Sequence, residues 1–535
     1  MRRVAGSLPI LASLALGAAV LAPMGAQAAV APLSGSADSS PATSAPGGDP
    51  WVVSLGDSYI SGEAGRWAGN QSLTTSDIDA LGRAAYWDTG DRESIERCHR
   101  SRSAAIHIGV VKSLNLACSG AITRTKFDKK GDFKPGIDFY NQGGRKGQAL
   151  MLQEFASEHN VRMVALSIGG NDFRFADIVE QCIKDFLVPI ASPKCKNDAT
   201  VNSYLSGASV ERVRADIADA ILNVARAMEG AGYQDSDWTL VLQLYPQPVP
   251  GSGNMRYGEF GYDRQTVGGC GFRDADLDWA TGTVLPLIND VFRSAGQIAQ
   301  SQRPALQLAT LDTSRAFQQR QLCHDAVWRV QETNVWGSRK GPSSWRDADA
   351  VDRSEWVMEI NIINAGETYQ QESLHPNYWG QLALRNCWRQ VWNDGNVRGG
   401  ACERDPAAGL TADCEPRVTL AVAGRSARAT PAQEPDRAQV TLRCPGIAID
   451  PGATALLRGR VTGGDADTKV SLQVRWDGRA WRGEGTKRPA ANGAYRFTMA
   501  VPASAPAGRT YQWRVVVTSG ATTVATSQTR TTLVR

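Results

Sequence analysis

The sequence lacks the features by which several protein classes are recognised. Among its 535 residues and ten cysteines there is no C-x-x-C pair, and no His/Cys cluster has zinc-ligand spacing. No metal and no other cofactor is expected. The net charge is only +4, with Lys/Arg and Asp/Glu mixed along the chain. That gives no electrostatic case for a nucleic-acid partner. No glycine-rich stretch has the lysine and spacing of a Walker loop. Beyond the N-terminus, no apolar run is long enough to cross a bilayer.

The N-terminus itself reads as a signal peptide over residues 1–28. Arg2 and Arg3 supply the positive region, "LPILASLALGAAVLAP" the apolar region, and "AQA" at Ala26 to Ala28 a small-residue cleavage site. The expectation is an exported, secreted and soluble chain that starts near Ala29. Residues 29–49, rich in Ala, Ser, Pro and Gly, read as a flexible linker. Export suits the cysteines: Cys98, Cys118, Cys182, Cys195, Cys270, Cys323, Cys387, Cys402, Cys414 and Cys444 are even in number, and an oxidising compartment favours disulfides. Spacing does not fix their connectivity. Pairing neighbours in order is the simplest scheme.

Over residues 50–405 short apolar runs alternate with helical patterns. Strands are expected at Trp51 to Leu55, Ser113 to Ala117, Arg162 to Ile168, Trp238 to Leu244 and Leu306 to Leu311. The clearest helix places Val210, Val213, Ile217, Ile221, Val224 and Met228 at steps of three and four, with Gly230 to end it. In "LDWATGTVLPLINDVFRSAGQIAQSQ", Pro286 marks a kink or boundary. Such alternation predicts an α/β fold with a parallel sheet, whose ligands bind at the carboxyl ends of the strands. After Cys414 the pattern changes. "VTLAVAG", "QVTLRC", "ALLRGRVTG", "KVSLQVRW", "AYRFTMAV", "TYQWRVVVTSG" and "TTVATSQTRTTLV" predict an immunoglobulin-like β-sandwich over residues 415–535. Trp476 and Trp481 are either packing or a binding face for polysaccharide or the cell envelope.

Three of the expected strand ends carry small or amide residues. "GDSY" places Ser58 where a strand turns into a helix, with unsatisfied N–H groups nearby. Alone, this serine reads equally well as a helix cap. "CSGA" places Gly120, and "GGND" places Asn171, at the same sheet edge. Later comes "ESLHPNYWGQ", with His375 three residues after Glu372. A serine, a histidine base and an orienting carboxylate are what nucleophilic serine catalysis requires.

In this order the four stretches resemble the SGNH hydrolases, also called GDSL esterases and lipases. "GDSYISGE", "NLACSGA" and "SIGGNDF" are most similar to the secreted actinobacterial branch, and the resemblance covers roughly residues 51–395. It implies a three-layer α/β/α, flavodoxin-like domain that hydrolyses carboxylic esters through an acyl-enzyme. Ser58 would be the nucleophile and His375 the base. The backbone N–H groups of Ser58 and Gly120 and the amide of Asn171 would form the oxyanion hole. The family usually has Asp three residues before the histidine, where this chain has Glu372. Glu372 is nevertheless the expected orienting acid, and the alternative left open is a main-chain carbonyl that accepts from the histidine. Asp57 is expected to brace the serine turn. The resemblance also implies a Cys98–Cys118 bridge beside Gly120; Cys182–Cys195 and Cys270–Cys323 would pin neighbouring loops, and Cys387–Cys402 and Cys414–Cys444 would follow.

His324, beside Asp325, reads as loop structure, and His99 as structural or rim. His107 and His159 have no motif around them, and Asp172 is expected to bond backbone amides. The substrate is left open among lipids, short-chain esters and acylated glycans. No long apolar lid argues for interfacial action. The alternative function, a surface- or carbohydrate-binding protein on a vestigial hydrolase domain, has the joint presence of Ser58, Gly120, Asn171 and His375 against it.

Overall fold

The computed structural model describes residues 45–534, except 72–74, 189–193, 335–336, 348, 362–370, 408, 423–438, 443–447, 477–478, 507–508 and 528. The expected signal peptide, most of the linker and Cys444 lie outside the described residues.

Seven strands form the main sheet: β1 (Trp51–Gly56), β2 (Lys112–Asn115), β3 (Val161–Ser167), β4 (Thr239–Gln243), β5 (Leu308–Asp312), β6 (Gly400–Arg404) and β7 (Val418–Ala421). Their spatial order is 7-6-5-4-3-1-2. All pairings are parallel except β6 with β7. The strands are apolar because the sheet is covered on both faces. Val53, Leu55, Val164 and Leu166 share one core with helices α2 (Gln148–Ala156), α4 (Gly207–Gly230) and α5 (Leu285–Gln302). Val52, Met163, Ala165, Val241 and Leu311 share the other with α6 (Tyr378–Trp392). Period-two alternation along a strand thus feeds two layers at once.

The five expected strands are present, each shifted by a residue or two. The heptad-like stripe of α4 is buried as its spacing implies, and Ser206 caps its start by accepting from the Ser209 N–H. Pro286 sits in the first turn of α5, directly after a π-helical turn at Ala280–Val284, so it marks a boundary.

One segment is placed differently from the expectation. Val418–Ala421, read from its sequence as the first strand of the C-terminal domain, pairs antiparallel with β6 and closes the large sheet. Its neighbour Glu415 is buried and bonds Arg389 of α6 at 2.5 Å. A four-residue alternating strand carries no signal of which sheet it will join, so the first domain runs past residue 405.

The C-terminal region contributes β8 (Gln439–Leu442), β9 (Ala448–Ile449), β10 (Thr454–Thr462), β11 (Thr468–Trp476), β12 (Arg482–Lys487), β13 (Ala494–Ala500), β14 (Thr510–Ser519), β15 (Thr522–Thr526) and β16 (Arg530–Val534). One sheet has the order 8-10-13 and the other 9-16-14-11-12, with β15 paired to β14. Leu457, Val461 and Phe497 of the first sheet meet Val470, Leu472, Val474 and Trp513 of the second in a single core.

Four disulfides join Cys98 to Cys118, Cys182 to Cys195, Cys270 to Cys323 and Cys387 to Cys402. Cys414 is also disulfide-bonded. Disulfides suit an oxidising compartment. Among the described residues, no helix is long and apolar enough to cross a membrane.

Candidate active site

The first-strand order 2-1-3-4-5 reverses direction between β1 and β3, and the crevice at such a point is where open α/β sheets bind ligands. Three of the motif residues lie there. β1 ends at Gly56, whose φ is +137° and whose missing Cβ would lie 1.9 Å from the Ser167 carbonyl oxygen. Only glycine lets the ends of β1 and β3 come this close. The one-turn helix α1 (Ser58–Ser61) begins next.

Asp57 caps that turn by accepting the Tyr59 N–H at 3.1 Å, and it accepts the Tyr245 hydroxyl at 2.5 Å. That hydroxyl in turn accepts the Gly170 N–H at 3.0 Å. Asp57 is therefore a knot between the ends of β1, β3 and β4. Burial pushes its carboxyl up to about 7, against the hydrogen bonds from Tyr245 and Tyr59. It braces Ser58, as expected, and does not touch His375.

His375 reaches Ser58 across 317 residues, with its Nε2 2.6 Å from the serine Oγ. Its Nδ1 lies 2.9 Å from the Ser373 carbonyl oxygen. The tight loop has a cause: Leu374 takes a left-handed φ of +64°, which curls the chain back beneath the ring. The loop is held by a Tyr59 hydroxyl bond to the Leu374 carbonyl at 2.8 Å and by paired bonds between Met358 and residues 374 and 375. Burial lowers the pKa of His375 below its ordinary value.

This corrects the assignment of Glu372 as orienting acid. Its side chain points away, accepting Trp67 Nε1 at 2.7 Å and the Tyr86 hydroxyl, and it is fully buried. Burial and the neighbouring Glu63 raise its carboxyl to about 7. Of the two acceptors left open for the histidine, the main-chain oxygen occupies the position. The extra methylene and the left-handed turn carry the carboxylate into a different pocket.

The expected oxyanion donors line one cleft: Ser58, Gly120 and Asn171, with His375, Ser119 and Gln371. Among the described residues, the backbone N–H groups of Ser58 and Gly120 have no hydrogen-bond partner. Asn171 Nδ2 donates to the Ala121 carbonyl at 2.9 Å, which fixes the amide and leaves its second N–H. Asp172 accepts from the Thr123 N–H at 3.2 Å, bonding a backbone amide as expected, and from the Thr123 hydroxyl at 2.7 Å. Beside the cleft lies an almost wholly apolar recess. Tyr59, Gly170, Phe175, Val179 and Leu374 line both, and Trp279 and the π-helical turn form its far wall.

Sequence reasoning missed a buried polar cluster behind this cleft. Glu63 and His99 are both buried, 2.6 Å apart, and Tyr86 stacks on the His99 ring at 4.3 Å. The only hint was Glu63 itself, inside the quoted "GDSYISGE" but given no role. The remaining histidines stay outside the cleft. His324 Nδ1 accepts the Ala326 N–H within its own loop at 3.0 Å, His107 bonds Ser113, and His159 stacks on Phe155. Trp476 packs on Tyr511, and the ring of Trp481 lies 4.6 Å from the Arg475 guanidinium and 4.3 Å from that of Arg514. Among the described residues, no group of three or more His, Cys, Asp or Glu side chains is arranged to hold a metal ion. No protein-family model matches the chain, and no curated protein matches it in sequence.

Proposed function

We propose that the protein is a secreted serine esterase or lipase of the SGNH type, followed by an immunoglobulin-like accessory domain. The observation that carries this reading is the 2.6 Å contact between Ser58 Oγ and His375 Nε2, beside two unpartnered backbone N–H groups. His375, with its pKa held down by burial, is neutral near pH 7 and takes the serine proton as Oγ attacks an ester carbonyl. Its Nδ1–H donates to the Ser373 carbonyl, which fixes the tautomer that leaves Nε2 free to accept. The carbonyl oxygen, now an oxyanion, meets the N–H groups of Ser58, Gly120 and Asn171. Each such donor is worth about 2.7–4 kcal/mol at the transition state. The alcohol leaves with the proton from Nε2, and water then releases the acyl group from Ser58.

The apolar recess next to Ser58 suits the acyl half of the ester. The test is hydrolysis of p-nitrophenyl esters together with covalent labelling by a fluorophosphonate. Turnover lost in Ser58→Ala and a single adduct on Ser58 are expected. An unlabelled serine in the folded wild-type protein overturns the reading in favour of a binding protein.

A further inference from the structure

We propose that Glu63 is a positioning residue, one buried carboxylate that holds the loop of Gly120 and the loop of His375 in register with Ser58. The inference rests on the serine-hydrolase reading of the cleft.

Its origin is local. Gly62 ends α1 with φ +99°, and a Cβ there would lie 2.7 Å from Cβ of Ser101, so glycine is required. That left-handed turn directs the next residue inward, and Glu63 has no exposed surface. From there it reaches three segments. One oxygen meets His99 Nδ1 at 2.6 Å, and the other accepts Gln371 Nε2 at 3.1 Å. The Ser119 side chain stands beside the carboxylate and favours its charged form, and His99 follows Cys98, which is bridged to Cys118.

The two loops it touches are the two that matter to the proposed chemistry. Ser119 directly precedes Gly120, and its N–H is tied to the Cys98 carbonyl at 3.0 Å. Gln371 stands two residues before Ser373, whose carbonyl meets the histidine ring. Gln371 is fixed at both ends of its amide, since Arg97 Nε donates to it at 3.2 Å and it donates to the Arg97 carbonyl at 3.0 Å. On the far side, His99 stacks on Tyr86, whose hydroxyl donates to Glu372, so the contacts return to the histidine loop.

A buried carboxylate is costly unless paired, and a pair serving stability alone is commonly replaceable by apolar side chains. Burial pushes Glu63 up and His99 down, but their mutual attraction outweighs both, so Glu63 is held below its usual range and His99 above. Each thus favours the charged form of the other. The same carboxylate raises the proton affinity of His375 against the opposing effect of His99, and His375 Nδ1 meets a neutral carbonyl. Among the described residues, the proposed imidazolium thus has the paired Glu63 near it and a carbonyl, not a carboxylate, on its Nδ1.

The experiment compares full-length Glu63→Gln, Gln371→Leu and the double variant on p-nitrophenyl butyrate, with melting curves and the rate of fluorophosphonate labelling. Glu63→Gln is expected to lower kcat by about 10–100-fold with KM within about threefold, the pattern of misplaced groups. Gln371→Leu is expected to lower kcat by about 3–10-fold, again with little change in KM. The double variant should be no slower than Glu63→Gln, because both act through one contact. Labelling should slow in parallel. A folded Glu63→Gln with kcat within about twofold of wild type, or losses that multiply in the double variant, overturns the proposal. If Glu63→Gln does not fold, Gln371→Leu decides: unchanged kcat overturns the proposal, and reduced kcat at constant KM supports it. A wild-type protein that neither hydrolyses ester nor labels at Ser58 defeats the hydrolase reading and this proposal with it. Wild-type activity beside an unaffected Glu63→Gln defeats this proposal alone.

Discussion

The parallel-sheet domain and the C-terminal β-domain handle charge in opposite ways. The first buries it: Asp57, Glu63, His99, Arg100, Glu355, Glu372 and Glu415 are all inside. The second keeps it out. Residues 439–535 carry 14 Lys/Arg against 5 Asp/Glu, yet Arg530 is the only charged side chain buried there among the described residues. On its outer surface Arg458 even stands directly opposite Arg496 across β10 and β13. Desolvating a charge costs several kcal/mol unless it is paired and hydrogen-bonded. A chain that accepts this cost repeatedly in one domain and almost never in the other marks where fixed polar geometry is needed. Asp57, Glu63, His99 and Glu372 all cluster around the Ser58 cleft, and the β-domain offers nothing similar.

The comparison is broken most directly at the proposed nucleophile. Ser58→Ala should reduce ester turnover by about 10⁴-fold or more while the fold survives, measured as kcat/KM on p-nitrophenyl esters. Asn171→Ala should cost about 10²–10³-fold in kcat through loss of one oxyanion donor. Glu372→Gln separates charge from position. If the carboxylate oriented His375, its amide would cost about 10⁴-fold, as in a true triad. Because it bonds Trp67 and Tyr86 instead, kcat should stay within about tenfold of wild type. The pH profile sharpens the point. The proposed mechanism requires neutral His375, whose pKa is lowered by burial, so the acid limb of kcat/KM should have its midpoint below the ordinary histidine value. On the other side, Trp513→Ala removes a fully buried ring from the β-domain core. It should destabilise that domain by about 3–5 kcal/mol, seen as faster amide exchange in β11 and β14, and leave ester turnover unchanged.

Much of this arrangement is legible in the sequence, for a physical reason. Parallel strands buried on both faces read as short apolar runs, and the turns that end β1 and β3 need residue types at fixed offsets, as Gly56 shows. Local constraints leave local traces. What escaped notice depends on distant partners. The fate of Glu372 is set by Trp67 and Tyr86, about 300 positions away, and nothing between residues 372 and 375 announces them. His99 looks like a rim residue until Glu63 is folded against it. The allegiance of β7 to the large sheet likewise depends on β6 and on the Arg389–Glu415 pair.

The separation of Ser58 from His375 by 317 residues also sets an order in time. During synthesis the turn of Ser58 is made early and His375 late, with β3, β4 and β5 still to be laid down between them. A chain that ends before residue 375 has the serine and not the proposed base. The Ser58–His375 pair can form only after β3, β4 and β5 stand between its two members, so a chain clipped before residue 375 lacks it altogether.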